Sequence, residues 1–176
     1  MRPEPDCSLC GLCEGRTNLV LPDGTYDTGI VLVGEAPGEN EDLEGRPFVG
    51  RSGKILEGMM NDAGFGRSDV LITNTVKCRP PNNRDPTKDE MQACRPFLES
   101  ELYDAEVVIG LGKSACRDLM GFEGKMDEIV NVPTTIRIRD RDVKFIPTYH
   151  PAATIYNKNS RAELRRTMEI IGEMLR

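Results

Sequence analysis

A chain of 176 residues, 38% hydrophobic and 30% charged, fits one domain with a real core and leaves no room for a second full one. Its net charge of −6 weighs against a nonspecific polyanion binder, while a local basic groove on an acidic body stays compatible with a nucleic-acid enzyme. No apolar run is long enough to span a membrane, and the opening MRPEPDCSLC lacks an apolar signal segment, so the expected location is cytoplasmic.

Residues 1–29 carry no sustained period. Cys7, Cys10 and Cys13 fall within seven residues, with Asn18–Leu21 expected as a short strand and Pro22-Asp23-Gly24 as a turn. The segment has too little apolar mass to hold itself down, and a metal site would anchor it. Ile30-Val31-Leu32-Val33 reads as a strand buried on both faces, followed by the sharp connector Gly34-Glu35-Ala36-Pro37-Gly38. An acidic tract, Glu39–Glu44, leads through Gly45-Arg46-Pro47-Phe48-Val49-Gly50 to a helix starting near Ser52 or Gly53, with Ile55, Leu56, Met59 and Met60 facing the core.

Val70–Thr73 predicts a second strand and Arg79–Asp89 a surface loop, which ends in the capping box Thr87-x-x-Glu90. The next helix should kink or restart at Pro96. Glu106–Ile109 predicts a third strand, Gly110–Met120 a turn into a helix, and Asn131–Arg139 and Val143–Pro147 two further strands around an Asp140–Asp142 turn. Leu164, Met168, Ile171, Met174 and Leu175 give the last helix one apolar face. Strands alternating with helices predict a three-layer αβα domain with a central, mainly parallel sheet.

In such a sheet the carboxyl ends of the strands open on one rim, where ligands bind. Glu35, Asn74, Gly112 and His150 all follow predicted strands, so a carboxylate, an amide and the only imidazole meet one crevice. Phe48 lies in a loop, either as a core plug or as a stacking platform for a flat ring. Neither Gly110-x-Gly112-Lys113-Ser114 nor Gly34-x-x-x-Gly38 has the spacing of a nucleotide-binding loop, which argues against ATP and NAD. Backbone nests and helix N-termini there remain suited to phosphate oxygens of another ligand.

Cys7-x2-Cys10 is a metal half-site, with Cys78 and Cys94 as a separated second pair, and four thiolates suit zinc or an iron-sulfur cluster equally by spacing. Cys13 is a spare that can replace Cys10, and Cys116 reads as a small core residue.

Taken together, Gly34–Gly38, Gly45–Gly50, Thr73–Pro81, Gly110-Leu111-Gly112 and His150-Pro151-Ala152-Ala153, with the two cysteine pairs, closely resemble the family 4 uracil-DNA glycosylases, the iron-sulfur enzymes of thermophilic bacteria and archaea. The likeness covers nearly the whole chain in order. It implies a single glycosylase domain over residues 1–176, with a cluster-binding segment over about 1–29. The implied activity is monofunctional removal of uracil from DNA, leaving an abasic site, by a monomer that has no membrane partner. It also implies a [4Fe-4S] cluster on Cys7, Cys10, Cys78 and Cys94.

By the same resemblance Phe48 stacks on the flipped base, Asn74 reads its polar edge, and His150 hydrogen-bonds the departing base. Glu35 shapes the wall that excludes the thymine methyl, and the backbone of Gly34, Ala36, Pro37 and Gly38 sets base and water in place. Where the family commonly has leucine and arginine after the histidine, this chain has Ile155, Tyr156 and Lys158, so Ile155 or Tyr156 is the expected wedge and Lys158 or Arg161 the phosphate contact. Gly112, Lys113 and Ser114 complete the expected DNA-contacting set.

Two other classes share these residues. A cluster-stabilised nucleic-acid-binding module would keep the cysteines and Arg46, Lys77, Arg79 and Arg84 without turnover, and a hydrolase of free nucleosides would need no DNA groove. No tail motif points to a sliding-clamp or repair partner.

Overall fold

The computed structural model describes residues 1–176. Six strands form one sheet: β1 (Asp23–Gly24), β2 (Ile30–Gly34), β3 (Leu71–Asn74), β4 (Val107–Leu111), β5 (Thr134–Ile138) and β6 (Arg141–Thr148), in the order β1-β3-β2-β4-β6-β5. The four central strands are parallel, and the edge strands β1 and β5 are antiparallel to their neighbours. The predicted three-layer architecture is thus observed.

Side chains of the central strands alternate between two cores, as the period of two demands. Ile30, Leu32, Ile72, Ile109 and Ile146 face helices α2 (Arg51–Asp62) and α5 (Lys158–Met174), meeting Leu56, Met60, Leu164, Met168 and Ile171. Val31, Val33, Leu71, Val108 and Phe145 face α3 (Lys88–Leu102) and α4 (Lys113–Met120), meeting Leu98, Leu102, Ala115 and Leu119. A fully buried leucine of this kind contributes about 1.5–3 kcal/mol. Strands buried on both faces explain the unbroken apolar runs in the sequence.

Three local expectations need correction, and one tract left unassigned is a helix. Residues 18–21 form no strand, because the amides of Thr17 and Asn18 are taken by the Asp42 carboxylate rather than by a ladder. Asp23-Gly24 is edge strand β1 rather than a turn, with Gly24 at φ 113° and no space for a Cβ beside the Val70 carbonyl. The acidic tract is a helix, α1 (Glu39–Glu44), which ends at left-handed Gly45. Helix α3 runs through Pro96 without restarting. Gln92, whose carbonyl loses its donor there, is exposed to solvent.

The Thr87–Glu90 capping box forms as expected, with the Thr87 hydroxyl accepting from the Glu90 amide at 3.2 Å and the Glu90 carboxylate from the Thr87 amide at 2.8 Å. The hairpin turn falls on Arg139-Asp140, one residue before its expected place.

Candidate active site

Gly34 pairs with Asn74 across β2 and β3, and Leu111 with Thr148 across β4 and β6, so the residues that follow these strands share one rim. Glu35, Ala36, Pro37, Gly38, Phe48, Asn74 and His150 line a cavity of about 600 Å³ there. Gly34 makes their convergence possible: a Cβ on it would lie 2.4 Å from the Phe48 ring and 2.6 Å from Asn74 Oδ1. Asn74 is buried, and its side-chain amide has no hydrogen-bond partner within the protein, leaving a donor and an acceptor for a ligand in the cavity.

Phe48 sits at φ 53°, a left-handed conformation that costs a non-glycine residue about 1–3 kcal/mol. Two residues that sequence reading passed over hold it. The Arg67 guanidinium donates to the carbonyls of Phe48 at 2.7 Å and Pro47 at 2.6 Å, and to Asp23 at 3.0 Å. The Glu41 carboxylate accepts the amides of Gly38 at 3.0 Å, Val49 at 2.9 Å and Gly50 at 2.6 Å, joining the two loops that wall the cavity. Gly53 completes the seat, since a Cβ on it would fall 1.9 Å from the Phe48 carbonyl oxygen. The position of Glu41, three residues beyond the helix-capping Gly38, was a usable signal. Nothing local marked Arg67.

The His150 ring lies 5.7 Å from that of Phe48, centroid to centroid. Its Nδ1 accepts the Ala152 amide at 3.1 Å, which places the proton of the neutral ring on Nε2. Burial lowers its pKa to about 4 against a weak upward pull from Glu41, so the ring is neutral at pH 7. Gly112 serves this histidine: at φ 96° it donates its amide to the Thr148 carbonyl, and a Cβ on it would meet His150 Cβ at 2.8 Å.

Glu35 is fixed through its carbonyl, which accepts the Thr75 hydroxyl at 2.5 Å and the Val76 amide at 3.3 Å. Burial raises the pKa of its carboxyl group, the Ser114 hydroxyl opposes that shift, and the neighbouring Asp85 carboxylate adds to it. Asn83 and Arg84 of the same loop also line the cavity, and the sequence had marked that loop only as surface.

Lys77 departs furthest from expectation. Grouped with surface cations by its sequence, it is fully buried. Its ammonium donates to Glu101 Oε1, Thr73 Oγ1 and the Asn74 carbonyl, each at 2.7 Å. It therefore clamps the end of β3, between the amide of Asn74 and the thiol of Cys78.

Cys7, Cys10, Cys78 and Cys94 line one narrow cleft with Leu9, Leu19 and Phe97, and Cys13 does not line it. No three Cys, His, Asp or Glu side chains are grouped as they would be around a single ion. Arg16 donates to Cys78 Sγ at 3.4 Å and to the Cys7 carbonyl at 2.7 Å, bringing positive charge to the sulfurs. Four soft donors in an apolar cleft with an N–H···S contact fit a polynuclear thiolate centre. Cys116, a residue of α4, is buried in the core.

Of the expected DNA-contacting residues, Lys113 and Lys158 are exposed, Ser114 and Ile155 are half-buried, and Tyr156 is 91% exposed. Arg161 is otherwise engaged: its guanidinium donates to the carbonyls of Thr154 and Ile155, bracing the loop after His150.

Residues 21–171 match the family described as the uracil DNA glycosylase superfamily. The chain is 42% identical to a type-4 uracil-DNA glycosylase of Sulfurisphaera tokodaii, over 96% of this chain and 80% of that protein. It is 44% identical to the type-4 enzyme of Thermotoga maritima, over 91% of this chain and 82% of that protein. A third relative, the type-4 enzyme of Archaeoglobus fulgidus, is 41% identical over 96% of this chain and 87% of its own length.

Proposed function

The chain belongs to the uracil-DNA glycosylase superfamily, on its type-4 branch, and on that premise we propose that the rim cavity takes a uracil flipped out of DNA and hydrolyses its glycosidic bond. The protein is a glycosylase of base-excision repair. The observation that carries the assignment of the cavity is the joint placement of the Phe48 ring, the unpartnered Asn74 amide and a neutral His150.

Base and sugar can be separated only after the nucleotide leaves the stack. Phe48, preset by Arg67 and Glu41, offers its face to the planar base, and the Asn74 amide pairs a donor and an acceptor with O4 and N3–H. Cleavage moves negative charge onto the base. His150 Nε2–H, already neutral and oriented through Nδ1, donates to O2 as that charge grows. Glu35 and the Gly34–Gly38 backbone shape the wall beside C5 and position the attacking water. Because the sugar becomes cation-like before attack, a strong general base is not required. Ile155 or Tyr156 fills the vacated stack, and Tyr156, almost fully exposed, is the better placed. Lys113, Ser114 and Lys158 lie against phosphates, whereas Gly112 and Arg161 act by positioning His150 and the wedge loop.

Cys7, Cys10, Cys78 and Cys94 hold a [4Fe-4S] cluster, supported by their shared cleft and by Arg16. When bound, the cluster ties residues 1–29 to α3 and supplies folding free energy rather than chemistry at the base. One domain and a single copy suffice for these roles. No helix is long and apolar enough to cross a membrane, and six cysteines without a disulfide suit the cytoplasm.

The test is uracil release from a uracil-containing oligonucleotide by anaerobically purified protein, with a thymine strand as control. Selective release leaving an alkali-labile abasic site is expected. Binding without release would leave a cluster-stabilised DNA-binding module.

A further inference from the structure

A second groove, of about 470 Å³, opens beside the base cavity between α2 and α5. Arg51 lines both, so the two adjoin at its side chain, and Ile155 of the wedge loop lines the groove. The local charge is opposite to that of the chain as a whole. Arg51, Lys54, Arg161 and Arg165 line the groove against a single acid, Asp62, on a protein of net charge −6. Arg51, Lys54 and Arg165 are exposed, and none of the three takes part in the eight ion pairs of the protein.

The floor supplies an independent observation. Gly58 lies in the interior of α2, one turn beyond Lys54 and on the same face, and also lines the groove. Glycine is the weakest ordinary helix former, and close packing is one reason for such a residue. Here there is none within the protein, because a Cβ at Gly58 would meet nothing within 4 Å. The space is kept open toward the groove.

We infer that this groove carries the phosphodiester backbone of the strand leaving the base cavity past Ile155, with Arg51, Lys54 and Arg165 paired to its phosphates and Gly58 admitting the sugar-phosphate chain against α2. The inference rests on the glycosylase reading for the identity of the strand. It places the electrostatic grip on α2 and α5, not on Arg161, whose guanidinium braces the wedge loop.

The experiment measures binding of cluster-loaded protein to an oligonucleotide carrying an abasic-site analogue, as a function of salt. For single strands, each lost phosphate contact lowers the slope of log affinity against log salt by about 0.7. Lys54→Gln and Arg165→Gln should each show that loss, and the double variant the sum of both. Lys144→Gln, on β6 outside the groove, should leave the slope as in wild type. Gly58→Ala should raise Tm, through better helix propensity, while weakening strand binding, a combination that a purely structural glycine would not give. A double variant with wild-type slope and affinity overturns the inference. Because the ligand contains no uracil, the two readings fail separately. Wild-type turnover with unaltered slopes in the variants sinks the groove alone, and slope loss without turnover in wild type sinks the glycosylase reading alone.

Discussion

The base cavity and the cysteine cleft flank one short stretch of chain, Thr73–Cys78, yet they are held in opposite ways. The cavity is braced by the protein itself: Glu41 binds three amides, Arg67 binds two carbonyls, and Gly34 and Gly53 let Phe48 settle between them. The cleft has little of this. Its small core is Leu12, Val76, Cys78, Met91, Cys94 and Phe97, and residues 1–20 are attached mainly through Arg16, Asp42 and the Val20 amide. A catalytic site needs its geometry before the ligand arrives, whereas a segment whose folding is coupled to the proposed cluster does not. Lys77 and Glu101 lie at the seam between the two.

Breaking the cleft should have the largest effect. Cys94→Ser is expected to abolish the brown colour of the cluster and open residues 1–20 to proteolysis, while Cys13→Ser keeps both; visible absorbance and limited digestion read the difference. If Cys13→Ser bleached the protein instead, the ligand set would be wrong.

At the seam, Lys77→Met leaves Glu101 buried without its counter-charge and should cost about 3–5 kcal/mol in denaturant unfolding. That figure would collapse if Lys77 were a surface cation, as its sequence suggests.

Within the cavity, His150→Ala should lower kcat by about 10²–10³-fold with a smaller change in KM. The pH dependence sharpens this. The folded pKa, about 4, lies below the ordinary 6.5, so His150 stays neutral as pH falls through 6 and kcat should not drop there. Stability should instead decline from pH 6.5 toward 4, because the unfolded chain takes up a proton that the folded one refuses. An inflection of kcat near 6.5 would show a solvated, titrating histidine.

The smallest effect is expected for Glu41→Gln, which turns an amide group toward a backbone N–H and should cost about 1–3 kcal/mol. Loss confined to stability, with KM unmoved, would separate Glu41 from the setting of Phe48.

Much of this protein was written in local pattern. Short β-branched apolar runs bounded by turn residues, such as Ile30–Val33, read as strands covered on both faces, Thr87 and Glu90 specify their own helix start, and glycine and proline after a strand mark where the chain must turn at the rim. Those features, with the cysteine spacing and the motifs in register, determined the sheet, its ligand-bearing edge and the family resemblance. Only the tertiary structure decided which charged residues are walls, braces or surface. Lys77 and Arg79 stand two apart in sequence, and burial against Glu101 makes the first a clamp while the second bonds exposed Asn83. Glu41, Asp42 and Glu44 belong to one acidic tract, and the three lie on different sides of α1, binding the pocket loops, the N-terminal segment and solvent respectively. A charge takes its role from the partners that long-range packing brings to it, and those partners lie too far along the chain for local pattern to name.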